Sequence, residues 1–158
     1  MKIVKGDLII LALEGQFDVI VHSCNCMCTM GAGIAKQIKA VFPEAYREDC
    51  KTKKGSREKL GSGSTVGVLK RPNLASPFKK IIVVNGYTQF DYRGKPGTVN
   101  VDYDAVRSVM RLVKKNYGGL RIGYPMIGAG LAGGDWNVIS KIIDEELAGS
   151  DHTLVVFE

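Results

Sequence analysis

At 158 residues, with 45% apolar and 24% charged side chains, the chain has the length and composition of one soluble domain with a full core, which excludes disorder. The formal net charge of +6 favours anionic partners without specifying one. The longest apolar run, Leu8–Leu13, is far too short to cross a bilayer, so no membrane partner is expected.

Met1-Lys2 leads straight into strand-like sequence with no signal-peptide pattern, so the expected location is the cytoplasm. The short runs Met1–Val4, Leu8–Leu13 and Val19–His22 read as strands, and the turn Glu14-Gly15-Gln16 among them suggests an antiparallel portion. Cys24, Cys26 and Cys28 then alternate as C-x-C-x-C, which is not a zinc or thioredoxin spacing. With His22 and His152 the only histidines, no tetrahedral metal set is completed, and the cysteines read as small reduced side chains at a strand end.

Ile34, Ile38, Val41 and Phe42 recur at helical spacing. Pro43-Glu44 breaks that helix and starts a short one through Tyr46 to Cys50. Lys51, Lys53, Lys54, Arg57 and Lys59 surround Gly55-Ser56 in a polar stretch that reads as a solvated loop. Nucleic-acid binding would want aromatics interleaved with these charges, and none occurs between Tyr46 and Phe78. Strands are predicted over Thr65–Leu69, Ile81–Val84, Arg121–Tyr124 and Thr153–Phe157. Two further helical stripes are Val106, Val109, Met110, Val113 and Ile139, Ile142, Ile143, Leu147. The alternation predicts one α/β domain over residues 1–158, a three-layer α/β/α sandwich with a mixed, mostly parallel central sheet.

Glycine-rich loops follow two of the predicted strands: Gly31-Ala32-Gly33 after Val19–His22, and Gly128 to Gly133 after Arg121–Tyr124. In open α/β sheets ligands sit beyond the carboxyl ends of strands, and loops without Cβ atoms let backbone N–H groups close on phosphate oxygens. A single such loop reads equally as a tight packing turn; two at equivalent strand ends point to a diphosphate cradle. A Rossmann site needs a further acidic strand and a second half-domain, whereas the stretch after Gly133 has room for one helix and one strand. Asn25 is a candidate for bonding a ribose hydroxyl or a water, or for ordering its own loop. His22 is a candidate general acid or base, or a packed structural histidine. Asp7 is a candidate acceptor for an adenine amino group, or a turn cap.

Gly6-Asp7-Leu8, His22-Ser23-Cys24-Asn25-Cys26, Gly31-Ala32-Gly33-Ile34-Ala35 and Pro125 through Trp136, taken in order, resemble the macro domain family of ADP-ribose-binding folds. The segment Asn85–Tyr92, followed by Asn100-Val101-Asp102-Tyr103, is similar to its ADP-ribose 1''-phosphate phosphatase branch. The resemblance implies that Asp7 and Leu8 bind adenine and that Asn25 contacts the distal ribose. It implies that Gly31, Ala32, Gly33 and Ile34 on one side, and Ile127, Gly128, Ala129, Gly130, Leu131 and Ala132 on the other, clasp the diphosphate and distal ribose. Trp136 and Phe157 would pack or stack near the ligand's ends. His22 matches the histidine proposed as catalytic in the phosphatase branch, and Asp91 would be its carboxylate partner. A lysine–aspartate pair used by a related branch is replaced here by Gly86 and Ala132. The implied activity is hydrolysis at the distal ribose, most concretely of the 1''-phosphate, with a non-catalytic ADP-ribose reader as the alternative. No cofactor or metal is implied. The expected partner is ADP-ribose or an ADP-ribosylated small molecule, protein or nucleic acid, and the chain is expected to be a monomer.

Overall fold

A computed structural model describes residues 1–94 and 98–158. Within them lie six strands, β1 (Lys2–Gly6), β2 (Val19–Asn25), β3 (Gly63–Lys70), β4 (Lys79–Gln89), β5 (Ile122–Tyr124) and β6 (His152–Phe157). Five helices accompany them: α1 (Leu8–Leu13), α2 (Gly33–Val41), α3 (Pro43–Cys50), α4 (Tyr103–Tyr117) and α5 (Trp136–Glu146). The sheet order is β1-β6-β5-β2-β4-β3, and every neighbouring pair is parallel except β3 with β4. This is the expected mixed, mostly parallel sheet.

Strand period decides the layers. Val19 and Val21 of β2 enter one core with Val106, Val109 and Met110 of α4 and with Ile139, Ile142 and Ile143 of α5. Ile20, between them, enters the opposite core with Leu8, Ile9 and Ala12 of α1, Ile38 of α2 and Ala45 of α3. Both cores fill with β-branched side chains on the strands and with the apolar stripes of the helices, giving the three-layer sandwich.

Two expectations are corrected. Leu8–Leu13 is a helix, because the Asp7 carboxylate accepts hydrogen bonds from the Ile9 and Ile10 amides (2.9 and 3.1 Å) and starts a helical turn. The antiparallel portion is therefore the β3–β4 pair, and Glu14-Gly15-Gln16 leads from a helix to a strand. The strands β2 and β4 also run further than their apolar cores, through Asn25 and Gln89, since polar His22, Asn85 and Thr88 are buried within them. Among the described residues, no helix is long and apolar enough to cross a membrane.

Candidate functional site

The loops that follow β2 and β5 part at the carboxyl ends of these neighbouring parallel strands, and a cleft of about 980 Å³ opens between them. Its floor is Ser23, Cys24 and Asn25 at the end of β2, and Gln89, Tyr92 and Asn100 close the side next to β4. None of its described lining residues is charged. Among the described residues, the groups available to an anion here are main-chain N–H groups and uncharged side chains.

Gly31, Ala32, Gly33 and Ile34 line one wall. Ala32 is the extended residue preceding α2 and makes no side-chain capping bond, so the first N–H groups of the nine-residue helix lack a side-chain acceptor beside the cleft. Among the described residues other than its chain neighbours, no heavy atom lies within 4 Å of where a Cβ on Gly31 would stand. Asn25 also lines the cleft, yet much of its amide is engaged locally: Oδ1 accepts from the Met27 amide (2.8 Å) and Nδ2 donates to Thr29 Oγ1 (2.9 Å). Asn25 therefore orders its own loop while standing in the lining of the cleft.

On the opposite wall Ile127, Gly128, Gly130, Leu131 and Ala132 line the cleft. The loop is closed by main-chain bonds, Gly134 N–H to Gly128 O (2.7 Å) and Asn100 N–H to Ala132 O (2.7 Å). A Cβ on Gly134 would stand 2.6 Å from Gly128 O and 2.6 Å from Val101 Cγ1. Leu131 is 80% exposed, and its Cδ1 lies 3.8 Å from where a Cβ on Gly33 would be, so the two walls meet over the cleft.

Several expected site residues lie elsewhere. His22 is fully buried and does not line the cleft. Asn85 Nδ2 donates to Ala45 O (2.9 Å) and to Ser64 Oγ (3.0 Å), which turns Asn85 Oδ1 toward His22 Nε2 at 2.6 Å. That acceptor fixes the proton on Nε2 and leaves Nδ1 without one, with Cys24 Sγ 3.5 Å from Nε2 and 3.8 Å from Nδ1. Burial pushes the His22 pKa down to about 4 against the opposing bond to Asn85, so the ring is neutral near pH 7. The structure thus holds His22 as a packed, hydrogen-bonded histidine outside the cleft's described lining. The Cys24 thiol beside it is pushed well above its ordinary pKa, first by burial and then by the Asp49 charge.

Asp91 is likewise outside the lining, and its carboxylate is clasped by Arg93 (2.9 Å), which holds its pKa below the usual carboxylate value. Ala129 turns its side chain onto the core and does not line the cleft, and Leu8 is buried within the α1 core. Asp7 and Phe157 stand at the carboxyl ends of β1 and β6, paired through the Gly6–Phe157 register, beyond the cleft's lining at the same edge of the sheet. Asp7 is the cap of α1, and Phe157 is exposed. Trp136 packs against the core at the start of α5. Sequence reasoning missed Thr29, Gln89, Tyr92, Asn100 and Met126 as lining residues. The only signal for Tyr92 and Asn100 was their place in the segments that resemble the phosphatase branch.

Beneath the first loop is a buried polar group. Tyr87 Oη donates to Asp49 Oδ1 (2.7 Å), while Asp49 Oδ2 has no partner among the described residues. Burial raises the Asp49 pKa, opposed by the Tyr87 bond and by the charge of Lys59. Lys59 is itself buried and donates to Cys26 O (3.1 Å).

A family model described as "Macro domain" matches residues 21–143. The chain is 37% identical over 154 residues to an uncharacterised 17.5 kDa protein from the tk-vs intergenic region of Enterobacteria phage T4, covering 91% of this chain and 88% of that protein. It is 24% identical over 170 residues to an ADP-ribose 1''-phosphate phosphatase of Debaryomyces hansenii, covering 92% and 93%. Thermosipho africanus DarTG, solved in complex with ADP-ribose, has a similar fold with a TM-score of 0.68 at 17% identity, over 99% of this chain and 41% of that one.

Proposed function

The chain belongs to the macro domain family, and we propose that it binds ADP-ribose in this cleft and hydrolyses a distal-ribose derivative of it, most concretely ADP-ribose 1''-phosphate. The observation that carries the reading is a cleft walled by two glycine loops that face each other at the carboxyl ends of β2 and β5. In such a site oriented backbone dipoles hold the phosphates. The α2 N-terminus, with Gly31 to Ile34, takes the diphosphate from one side, and Gly128, Gly130, Leu131 and Ala132 take it from the other. Adenine extends toward Asp7 and Phe157, and the distal ribose toward Asn25, Gln89 and Asn100. The family's named phosphatase relative, aligned over nearly the full length of this chain, supports the choice of reaction.

In that reaction Asn25 orients a water against the phosphorus. The water oxygen bonds to phosphorus as the P–O bond to the C1'' oxygen breaks; one water proton passes by way of the phosphate's own oxygens to the departing C1'' oxygen and the other stays on phosphate, giving ADP-ribose and inorganic phosphate. His22, buried and neutral, exchanges no proton with the substrate. The related branch's covalent route is not part of this reading, since Gly86 and Ala132 stand in the neighbourhoods of its lysine and aspartate, and a Cβ at Gly86 would already stand 2.7 Å from Val109 Cγ1. The uncharged character of the described lining favours one second reading, a reader module that binds ADP-ribose without turnover.

The test incubates the protein with ADP-ribose 1''-phosphate, ADP-ribosylated protein and ADP-ribosylated DNA, following released phosphate or ADP-ribose, with ADP-ribose affinity measured in parallel. Phosphate release that falls about tenfold or more in Asn25→Ala is the expected result. Tight binding without turnover selects the reader. Absence of ADP-ribose binding removes both.

A further inference from the structure

We infer that Lys59, which does not line the cleft, is a positioning residue that holds residues 26–30 in the one shape that presents Gly31 and the start of α2 to a diphosphate. The inference rests on the ADP-ribose reading for its ligand and on the loop's geometry for its mechanism.

Lys59 belongs to the basic stretch that sequence alone assigns to a solvated loop, yet it is only 7% exposed. Burying an ammonium is costly unless its donors are used. Here Nζ donates to Cys26 O at 3.1 Å, stands 3.6 Å from Cys28 Sγ, and lies over the Tyr87 ring, 4.7 Å from its centroid. No ion pair among the described residues involves it. Its hydrogen bonds among the described residues therefore go to the segment that leads into Gly31. The Gly55 amide donates to the same Cys26 carbonyl at 2.7 Å, so two donors from the basic stretch converge on one acceptor.

The segment they hold is one that would not hold itself. Cys28 is the one non-glycine residue among those described with positive φ, at 56°. That conformation is unfavourable for a side chain with a Cβ, and it persists only where the surroundings over-determine it. The surroundings do so here: Cys28 Sγ donates to Asp49 O (3.3 Å), Tyr46 Oη donates to Cys28 O (3.5 Å), and Lys59 reaches both Cys26 and Cys28. Lys59 is the member of this set that touches two residues of the segment at once. Without its ammonium, Cys26 O keeps one donor and the constraint on Cys28 weakens.

The test compares Lys59→Met, which keeps the apolar stem, with Lys59→Arg, which keeps the charge. Two readouts are taken on folded protein: affinity for ADP-ribose and for AMP, and hydrogen exchange at the Cys26 and Met27 amides. Those amides donate to Phe90 O (2.9 Å) and Asn25 Oδ1 (2.8 Å) and so track the segment's shape. Lys59→Met is expected to weaken ADP-ribose binding about tenfold, the size of one lost charge-assisted hydrogen bond, and AMP binding by less. It should speed exchange at Cys26 and Met27 by a similar factor while Val21 and Val83 stay protected, and Lys59→Arg should recover part of both. Unchanged exchange and affinity in a folded Lys59→Met protein overturns the inference. If the wild type fails to bind ADP-ribose, the functional reading fails, and the exchange result alone decides whether Lys59 positions the loop. Should Lys59→Met not fold, Cys28→Ala and Cys28→Gly replace it. Both remove the thiol, but only glycine tolerates the left-handed backbone, so alanine is expected to lose more affinity and more protection. An equal or greater loss in glycine overturns the inference.

Discussion

The two walls of the cleft are both glycine loops, yet they are held by opposite means. The first, ahead of α2, is tied down by side chains: Asn25 spans Met27 and Thr29, and Lys59, Tyr46 and the Cys28 thiol fix the bend before Gly31. A Cβ on Gly31 would meet no described protein atom. The second, after β5, is tied down by its own main chain, and Gly134 is required because Gly128 O and Val101 occupy the space a Cβ would need. The same residue type thus answers two different demands, room for a ligand on one wall and room for the protein on the other.

The comparison can be broken most forcefully at Gly134. Gly134→Val is expected to destabilise the protein by about 3 kcal/mol, read as a lower thermal midpoint, and to loosen the loop's hold on ADP-ribose as well. A variant of wild-type stability would show that the second wall is not closed by that approach.

The next effect separates the walls by pH. Burial lowers the His22 pKa to about 4, whereas an unfolded histidine titrates near 6.5. The unfolded state therefore binds the proton first, so His22 contributes stability that is complete above pH 6.5 and lost as pH falls through about 4. The loss amounts to about 3 kcal/mol. His152, also lowered chiefly by burial, adds to the slope with the same sign. Denaturant titrations between about pH 7 and pH 4 check this, with His22→Gln expected to flatten the dependence. Because His22 lies in β2, close to Cys24 on the cleft floor, local exchange should rise first at the side-chain-held wall and later at the other.

The smallest effect concerns Gly31. Gly31→Val should leave stability within about 0.5 kcal/mol while weakening ADP-ribose binding about tenfold, since the added atoms project into space that no described residue fills and that the proposed ligand would occupy. Unchanged affinity would mean that the ligand does not approach this backbone.

The limits of the sequence follow the same physics. The stripes at Ile34, Val106 and Ile139 were legible because a single apolar face at period 3.6 arises in a half-buried helix and in little else. Leu8–Leu13 was not, since six consecutive apolar residues carry no period, and only the reach of the Asp7 carboxylate to two amides selects a helix. The glycines marked the cleft, but chain neighbours do not share a direction: Leu131 faces outward while Ala129 turns to the core. His22 looked like chemistry because buried polar residues and catalytic ones share an alphabet. What places it in the core is the hydrogen-bond sequence running from its ring through Asn85 to Ala45 O and Ser64, which depends on how α3 and β3 pack against β4. Tyr92 and Asn100 reach the cleft from the β4–α4 connection, a placement fixed by tertiary contacts such as Asn100 N–H to Ala132 O.

Leu131, reaching across to Gly33, sets a tempo as well as a shape. Were the diphosphate seated beneath it as proposed, that side chain would have to move both on its arrival and on its departure, slowing the two rates together and leaving their ratio nearly untouched. Truncating Leu131 should accordingly shorten the residence time of ADP-ribose far more than it raises the dissociation constant, making the protein a faster sampler of the same ligand.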